Sequence, residues 1–285
     1  MEAIVSVPKF IGMGVSLILS VGLPIFLLIY WKKRTGAKVT TALVGALTFV
    51  VFVFGLENAL HQVCIYQDNG FSRFLNANPW AYMLYGGLAA GIFEETGRLL
   101  AFKWVLKKRN QTPTSVMYGI GHGGIEAILI GGMGAVSNLA FALSLNATGA
   151  DALVASAGAN SAQVAAAVET FRNTSAGMFL VSGVERVIAI GLHIALSVLV
   201  FLAAKRTGKF WLYPTAIGIH AVVDFVAVLY QLGKIQSILW VELLVLIFTA
   251  CAAFWAWKLY RKDLADVAME TQELASQVDE DVPAQ

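Results

Sequence analysis

Long apolar stretches separated by short polar ones recur along the whole chain. An α-helix of ~20 residues, at ~1.5 Å per residue, is long enough to cross a hydrocarbon core of ~30 Å. The pattern therefore predicts an all-α, polytopic membrane protein with about seven transmembrane helices. Their predicted ranges are 10–30, 38–63, 80–106, 114–141, 175–204, 210–231 and 236–260.

The composition agrees with this prediction. Of the 285 residues, 58% are hydrophobic and only 13% are charged, which excludes an ordinary soluble domain. The first apolar stretch runs from Phe10 to Tyr30 without a small-residue cleavage site, so we expect a retained helix rather than a signal peptide. Cys64 and Cys251 are far apart in sequence and predict neither a disulfide framework nor a metal knuckle.

Basic residues favour alternate ends of the predicted helices. Thirteen lie at one set of ends and only four at the other. By the positive-inside rule, we expect the N-terminus outside and the C-terminus in the cytosol of a bacterial or archaeal cell. The thirteen are Lys32, Lys33, Arg34, Lys38, Lys107, Lys108, Arg109, Lys205, Arg206, Lys209, Lys258, Arg261 and Lys262, and the four are Lys9, Arg73, Arg172 and Lys234.

We expect a single transmembrane domain over residues 1–262, with the functional motifs in a core at 80–231. The external segment 146–174 is rich in Ala, Ser and Asn, and it predicts a short surface helix or a mobile lid. Residues 263–285 form an acidic cytosolic tail, whose polar composition predicts a frayed helix or disorder.

The third apolar stretch contains GIFEETGRLL, which places three ionisable side chains inside a predicted transmembrane helix. Such residues are unfavourable there by roughly 2.5–3.5 kcal/mol each on insertion scales, and they usually mark a functional pathway or site. Other predicted helices carry similar residues. The full set is Glu57, His61, Glu94, Glu95, Arg98, His122, Glu126, Glu185, Arg186, His193, His220, Asp224 and Glu242.

Several of these side chains are predicted to share one depth near the middle of the membrane. Four of them lie 9 to 13 residues from the nearest basic cluster, which corresponds to ~14–20 Å along a helix. Glycine-rich stretches such as YGGLAAG and YGIGHGGIEA let helices approach closely. The four are Glu94, Arg98, His193 and His220, and the depth of His122 is compatible with theirs.

Structural roles are the alternative for several of these residues. Arg98 can serve only as the ion-pair partner of a carboxylate. Glu185 and Arg186 are adjacent and point to different faces, so each needs its own partner, which favours structural pairing over catalysis. Glu57 and His61 lie nearer the external end, where an architectural hydrogen bond is the simpler explanation.

The shared-depth cluster can support peptide hydrolysis, which needs an activated water, a stabilised oxyanion and a proton for the leaving amine. A glutamate with His122 and His193 can activate water, while His220, oriented by Asp224, stabilises the oxyanion. Alternatively, His122, Glu126, His193 and His220 can hold Zn²⁺ with an open position for water. No HExxH motif is present, so the sequence favours neither mechanism.

Three ordered motifs resemble those of the CPBP superfamily of intramembrane proteases, which includes the CAAX prenyl-protein endopeptidases. They are EExxR at 94–98, YxxxH at 118–122 and HxxxD at 220–224. Within this superfamily the chain most resembles the YhfC-type intramembrane proteases, and it is similar in layout to the PrsW-type ones. The resemblance covers about 80–230.

The resemblance implies a CAAX-protease-like helical core in which Glu94 or Glu95 activates water with His122. It also implies that His220 and Asp224 either stabilise the oxyanion or have a binding role. The chain departs from the common pattern in three ways: the arginine is one residue closer, tyrosine replaces phenylalanine, and aspartate replaces asparagine. An ionised aspartate cannot donate to an oxyanion, which favours an orienting or metal-binding role for Asp224.

We therefore expect an intramembrane endopeptidase of the glutamic or metal-dependent type, with zinc as the candidate cofactor. Its expected partners are the lipid bilayer and a membrane protein or peptide substrate, without nucleic acid. The alternatives are an ion or proton transporter or channel that uses the same buried residues, a haem protein, and a non-proteolytic binding member of the family. The candidate catalytic residues are Glu94, Glu95, Arg98, His122, His193, His220 and Asp224.

Overall fold

The computed structural model describes residues 5–280, which form helices joined by short connections and contain no β-strand. Five π-helical segments lie within the longer helices. The helices are α1 (Val7–Thr35), α2 (Val39–Tyr66), α3 (Gly70–Ala77), α4 (Pro79–Leu100, continued by the π-helical Ala101–Val105), α5 (Pro113–Thr148), α6 (Ala150–Ser156), α7 (Ser161–Asn173), α8 (Ala176–Lys205), α9 (Leu212–Gln231) and α10 (Ile238–Glu280).

Six of these helices are long and apolar enough to cross a membrane: α1, α2, α5, α8, α9 and α10. The chain is therefore an all-α, multi-pass membrane protein, as predicted. Helix α4 has a comparable length, but Glu94, Glu95 and Arg98 lower its mean hydropathy and it is not among the six. All seven predicted helices are present, whereas the count of seven membrane spans is not confirmed.

The ends of the long helices follow from local sequence. Helices α4 and α5 begin with Pro79 and Pro113, whose fixed backbone angle suits the first helical turn. Helix α1 ends at Thr35 and is capped by Gly36, which adopts a left-handed backbone angle of φ 70° and donates its amide to the carbonyl of Lys32. These boundaries set how far each helix extends on either side of the ionisable residues that were predicted to share one depth.

Close helix contacts surround the cluster. A Cβ atom at Gly121 of α5 would overlap the carbonyl oxygen of Ala42 of α2. A Cβ atom at Gly91 of α4 would lie 2.8 Å from the carbonyl oxygen of Ile217 of α9. Because only glycine fits these positions without a shift, the glycine-rich stretches bring α2 against α5 and α4 against α9.

Helix α8 is the centre of the bundle. Its side chains Leu196, Leu199 and Phe201 are fully buried, and the helix packs against α1, α4, α5, α9 and α10. This position explains why α8 is apolar on nearly all sides over its second half. The one histidine of α8, His193, therefore lies near the middle of the bundle.

The predicted external segment contains α6 and α7, joined by a short 3₁₀ turn. Val168 and Phe171 of α7 are buried in a small apolar cluster with Met13 of α1. Lys9 donates hydrogen bonds of 2.8 and 2.9 Å to the carbonyl oxygens of Phe171 and Arg172, at the end of α7. These contacts dock the segment on the beginning of α1.

Helix α10 continues without a break from the last membrane span to Glu280, so it includes most of the predicted acidic tail. Residues 281–285 of that tail lie outside the described residues. Asp263 is buried and accepts hydrogen bonds from Arg206 and Thr112. This contact fixes α10 to the connections before α5 and after α8.

Candidate active site

Side chains from four helices meet in one buried cluster. Helices α4 and α9 face α5 and α8 around it, and the close glycine contacts bring their backbones near enough for short polar side chains to touch. The cluster contains every catalytic and metal-ligand candidate named from the sequence. Its members are Glu94, Glu95, Arg98, His122, Glu126, His193, His220 and Asp224.

Glu94 lies between three imidazole rings. Its Oε2 is 2.8 Å from Nε2 of His122 and 3.8 Å from Nδ1 of His193. Its Oε1 is 3.8 Å from Nε2 of His220. Among the described residues, Glu94 is therefore a carboxylate that lies within 4 Å of imidazole rings from three different helices.

Arg98, Glu95 and His220 form a triad. Nε of Arg98 is 3.3 Å from Oε2 of Glu95, and both side chains are completely buried. Oε1 of Glu95 is 2.8 Å from Nδ1 of His220. An ionised carboxylate can only accept, so Nδ1 of His220 donates and its Nε2 is left facing Glu94. The sequence left open which glutamate pairs with the arginine, and the geometry assigns Glu95.

Nε2 of His220 also lies 3.4 Å from Oδ2 of Asp224, one turn further along α9. The Asp224 side chain is 29% exposed and lines the cavity described below. It is therefore placed to orient His220 or to contact a substrate.

Arg98 also ties α4 to α8. Its Nη1 donates to the carbonyl oxygen of His193 at 2.8 Å and to Oγ of Ser197 at 2.9 Å. Its Nη2 is 3.1 Å from Nδ1 of His193. Ser197 is not among the residues predicted from the sequence. The sequence feature that could have identified Ser197 is its position: it carries a hydroxyl one helical turn after His193, in an otherwise apolar stretch.

Glu126 and Arg186 complete the cluster on the side of α5 and α8. Oε2 of Glu126 contacts Nε2 of His193, and Nη1 of Arg186 donates to Oε1 of Glu126 at 2.9 Å. Arg186 also donates to Glu185. Arg186 therefore does pair with its sequence neighbour, contrary to the expectation that each would need its own partner, and its other carboxylate partner touches a site histidine.

A cavity of about 400 Å³ leads to the cluster. Along α4 it is lined at every fourth residue by Tyr82, Gly86, Ala90 and Glu94, a distance of ~18 Å along the helix. Its far end is lined by residues near the ends of α2, α9 and α10. These include His61, Tyr66, Gln231 and Glu242.

Glu57 and His61 pair with each other outside the cluster, and His61 lines the far end of the cavity. Nε2 of His61 is 3.3 Å from Glu57, and its Nδ1 is 2.8 Å from the hydroxyl of Tyr85. In the expected orientation this end faces the outside of the cell, so the cavity would connect the cluster with the external surface.

The donor set of the cluster fits a divalent metal ion. Glu94, His122 and His193 each offer a ligand atom, and the three atoms lie within 4.8 Å of one another. One carboxylate and two imidazoles, with a further position open for water, are typical of catalytic zinc sites. The other predicted metal ligands, Glu126 and His220, are not part of this group of described residues.

The fold and the site define a multi-pass, all-α membrane protein with a buried centre of glutamates, histidines and arginines. The chain belongs to the YhfC intramembrane metalloprotease family, whose model matches residues 19–245. The uncharacterised membrane protein YhfC of Bacillus subtilis (strain 168) is 36% identical over 240 residues, which cover 84% of this chain and 92% of that protein. No solved structure is significantly similar to the chain.

These comparisons confirm the family that the three motifs suggested. The family's name supports the class of intramembrane protease and is compatible with a metal. The wider CPBP grouping and the roles of the individual residues stay predictions.

Proposed function

We propose that the protein is a metal-dependent intramembrane endopeptidase that hydrolyses a peptide bond of a membrane-associated protein or peptide. One observation carries this proposal: Glu94 lies between the imidazoles of His122, His193 and His220 at the inner end of a cavity. The family name supports the same reaction class.

Glu94, His122 and His193 are the residues that would hold the metal. When bound, the metal would polarise the scissile carbonyl and activate water. Zinc is the candidate, because the donor set offers one carboxylate oxygen and two imidazole nitrogens.

His220 is the residue that would move protons. Its Nδ1 donates to Glu95 and its Nε2 faces the carboxylates of Glu94 and Asp224, so hydrogen-bond acceptors lie beside both ring nitrogens. A protonated imidazole in this position can give its Nε2 proton to the leaving amine and then take one from water. Arg98 holds Glu95 and thereby fixes the orientation of His220.

The cavity suits an extended substrate segment. Its length along α4 of ~18 Å corresponds to roughly five extended residues at ~3.3–3.6 Å each. The inner end is formed by side chains that are almost fully buried, including Glu94 and His193. Burial of this kind excludes bulk water and strengthens electrostatic interactions with the reacting groups.

A cleavage assay in proteoliposomes tests the proposal. Full-length protein would be reconstituted with a library of single-span peptides that differ in sequence around the membrane interface, and new termini would be identified by mass spectrometry. We expect cleavage by the wild type and by a Lys234→Gln control, since Lys234 is exposed and does not line the cavity. We expect no cleavage by Glu94→Gln.

Glu94-dependent ion flux without cleavage would overturn the proposal in favour of a transporter. Cleavage that persists in metal-free protein would instead favour water activation by Glu94 or Glu95 without a metal.

A further inference from the structure

The two ring nitrogens of His193 face groups of opposite character. Nδ1 lies 3.1 Å from Nη2 of Arg98, and Nε2 contacts Oε2 of Glu126. A guanidinium has donors and no acceptor, so Nδ1 must accept. An ionised carboxylate has acceptors and no donor, so the proton belongs on Nε2. A single neutral tautomer of His193 satisfies both neighbours.

Glu126 is itself held in place by Arg186. Nη1 of Arg186 donates to Oε1 of Glu126 at 2.9 Å, which leaves Oε2 of Glu126 directed at His193. The second terminal nitrogen of Arg186 donates to Glu185. The side chains of Arg186 and Glu126 are only 10% and 12% exposed. Such a buried charge persists because two carboxylates neutralise it.

The backbone of α5 makes room for Arg186. A Cβ atom at Gly131 would lie 2.6 Å from Cγ and 3.0 Å from Cδ of Arg186. Gly131 lies in the π-helical segment Ala127–Gly132, which starts directly after Glu126. The aliphatic part of Arg186 therefore packs on glycine backbone, and this contact directs the guanidinium toward Glu126.

We propose that Arg186 and Glu126 are positioning residues, in which Arg186 orients Glu126 and Glu126 accepts the Nε2 proton of His193. Nδ1 of His193 is then free of a proton and lies 3.8 Å from Oε2 of Glu94. Its electron pair accepts from Arg98, and a metal held by His193 would take the place of that hydrogen bond. The arrangement repeats that of Arg98, Glu95 and His220 on the opposite side of the cluster. Glu126 thereby orients the metal ligand His193 and is not a metal ligand itself.

A carboxylate on the second nitrogen of a metal-bound histidine usually fixes its orientation, and its loss costs about 10–100-fold in metal affinity. This consequence rests on the proposed function, whereas the tautomer of His193 does not. The two are therefore tested separately.

Nitrogen NMR of metal-free protein tests the tautomer. The chain has only four histidines, so ring-labelled protein gives four pairs of nitrogen signals, and His193→Ala identifies one pair. We expect His193 of the wild type to carry its proton on Nε2. Glu126→Gln should leave the proton on Nε2, because Arg98 still faces Nδ1, but should shift the Nε2–H proton signal upfield, because a neutral amide oxygen accepts a weaker hydrogen bond than a carboxylate. Arg186→Gln should shift the same signal, because Glu126 is then no longer held toward His193.

Arg73→Gln is the matched control, since Arg73 forms an exposed ion pair with Asp68 and should leave the His193 signals unchanged. Arg186→Lys keeps the charge and is the alternative if Arg186→Gln does not fold. It should retain part of the wild-type Nε2–H shift, since a lysine contacts the carboxylate as a single point charge. A wild-type proton on Nδ1, or an Nε2–H signal unaffected by both substitutions, would overturn the proposal.

Zinc titration of the same full-length variants tests the consequence. We expect Arg186→Gln to weaken zinc binding by about 10–100-fold and His193→Ala to weaken it further. If Glu126→Gln removes zinc as completely as His193→Ala, Glu126 is a ligand and the proposed role is wrong. A wild type that neither binds zinc nor cleaves peptides contradicts the proposed function, and the NMR result alone then decides the positioning role.

Discussion

Nε2 of His122 lies 2.8 Å from Oε2 of Glu94, and neither side chain is more than 8% exposed. Nδ1 of His122 is buried and has no hydrogen-bond partner among the described residues. Within that part of the chain, His122 therefore depends on Glu94 for its hydrogen bonding. The two side chains are expected to act as one unit in binding or in proton transfer.

Glu94→Gln and His122→Ala should each lower the cleavage rate by at least ~100-fold, since removal of a positioned acid–base group or metal ligand has effects of this size. Both variants should remain folded, because each deletes a polar contact inside the cluster and leaves the apolar core around Leu196 intact. Initial cleavage rates in proteoliposomes measure the first effect. Size-exclusion profiles in detergent measure the second.

Near wild-type turnover in either folded variant would show that the assigned role is wrong. Loss of the monodisperse profile would instead show that the residue is needed for folding.

Arg98 is expected to be a major determinant of stability. It is completely buried, pairs with Glu95 and donates to two groups on α8, at His193 and Ser197. Arg98→Ala leaves the carboxylate of Glu95 without its cation, and breaking a buried pair in this way costs about 3–5 kcal/mol. Thermal unfolding in detergent would show a large fall in midpoint.

Arg73→Ala provides the comparison for Arg98. Its ion pair with Asp68 is 66% and 83% exposed, and exposed pairs contribute about 0–1 kcal/mol. Equal effects of the two substitutions would contradict the structural role of Arg98.

The helices themselves were largely predictable, because a stretch long enough to span a membrane must satisfy all its backbone hydrogen bonds internally. The membership of the cluster was predictable for a similar reason. Ionisable residues at one depth have few favourable partners except one another. Distance from the basic helix ends was enough to group Glu94, His193 and His220.

The pairings inside the cluster were not predictable. Glu94 and Glu95 both lie on the face of Arg98, at i,i+4 and i,i+3, and the choice depends on His220 of α9, which binds Glu95. Arg186 was expected to need a partner other than the adjacent Glu185, but it contacts both Glu185 and Glu126, which is 60 residues away on α5. Tertiary contacts decide which helices pack together, and the 3.6-residue periodicity of a single helix does not encode them.

Metal removal should abolish cleavage, and zinc should restore it. Gently purified wild-type protein is expected to contain a stoichiometric zinc ion, which His193→Ala should lose. Elemental analysis of both proteins, before and after a chelator and zinc add-back, measures this. Full activity in chelator-treated protein with no residual metal would leave Glu94 or Glu95 as the group that activates water.

The contact between α2 and α5 gives a prediction that does not depend on the reaction. A Cβ atom at Gly121 would overlap the carbonyl oxygen of Ala42, and the backbone there cannot move without shifting His122, the next residue. Gly121→Ala should therefore destabilise the protein by about 1–3 kcal/mol, as overpacking usually does, and should lower activity as well.

Gly134→Ala is the control on the same helix, because a Cβ atom there would have no neighbour within 4 Å. It should be neutral or slightly stabilising, since alanine favours a helix over glycine by ~1 kcal/mol. Thermal unfolding and cleavage rates of the two variants test the contact together. If Gly121→Ala unfolds at the wild-type temperature and retains activity, α2 and α5 are not packed as closely as described, and the position of His122 beside Glu94 loses its structural basis.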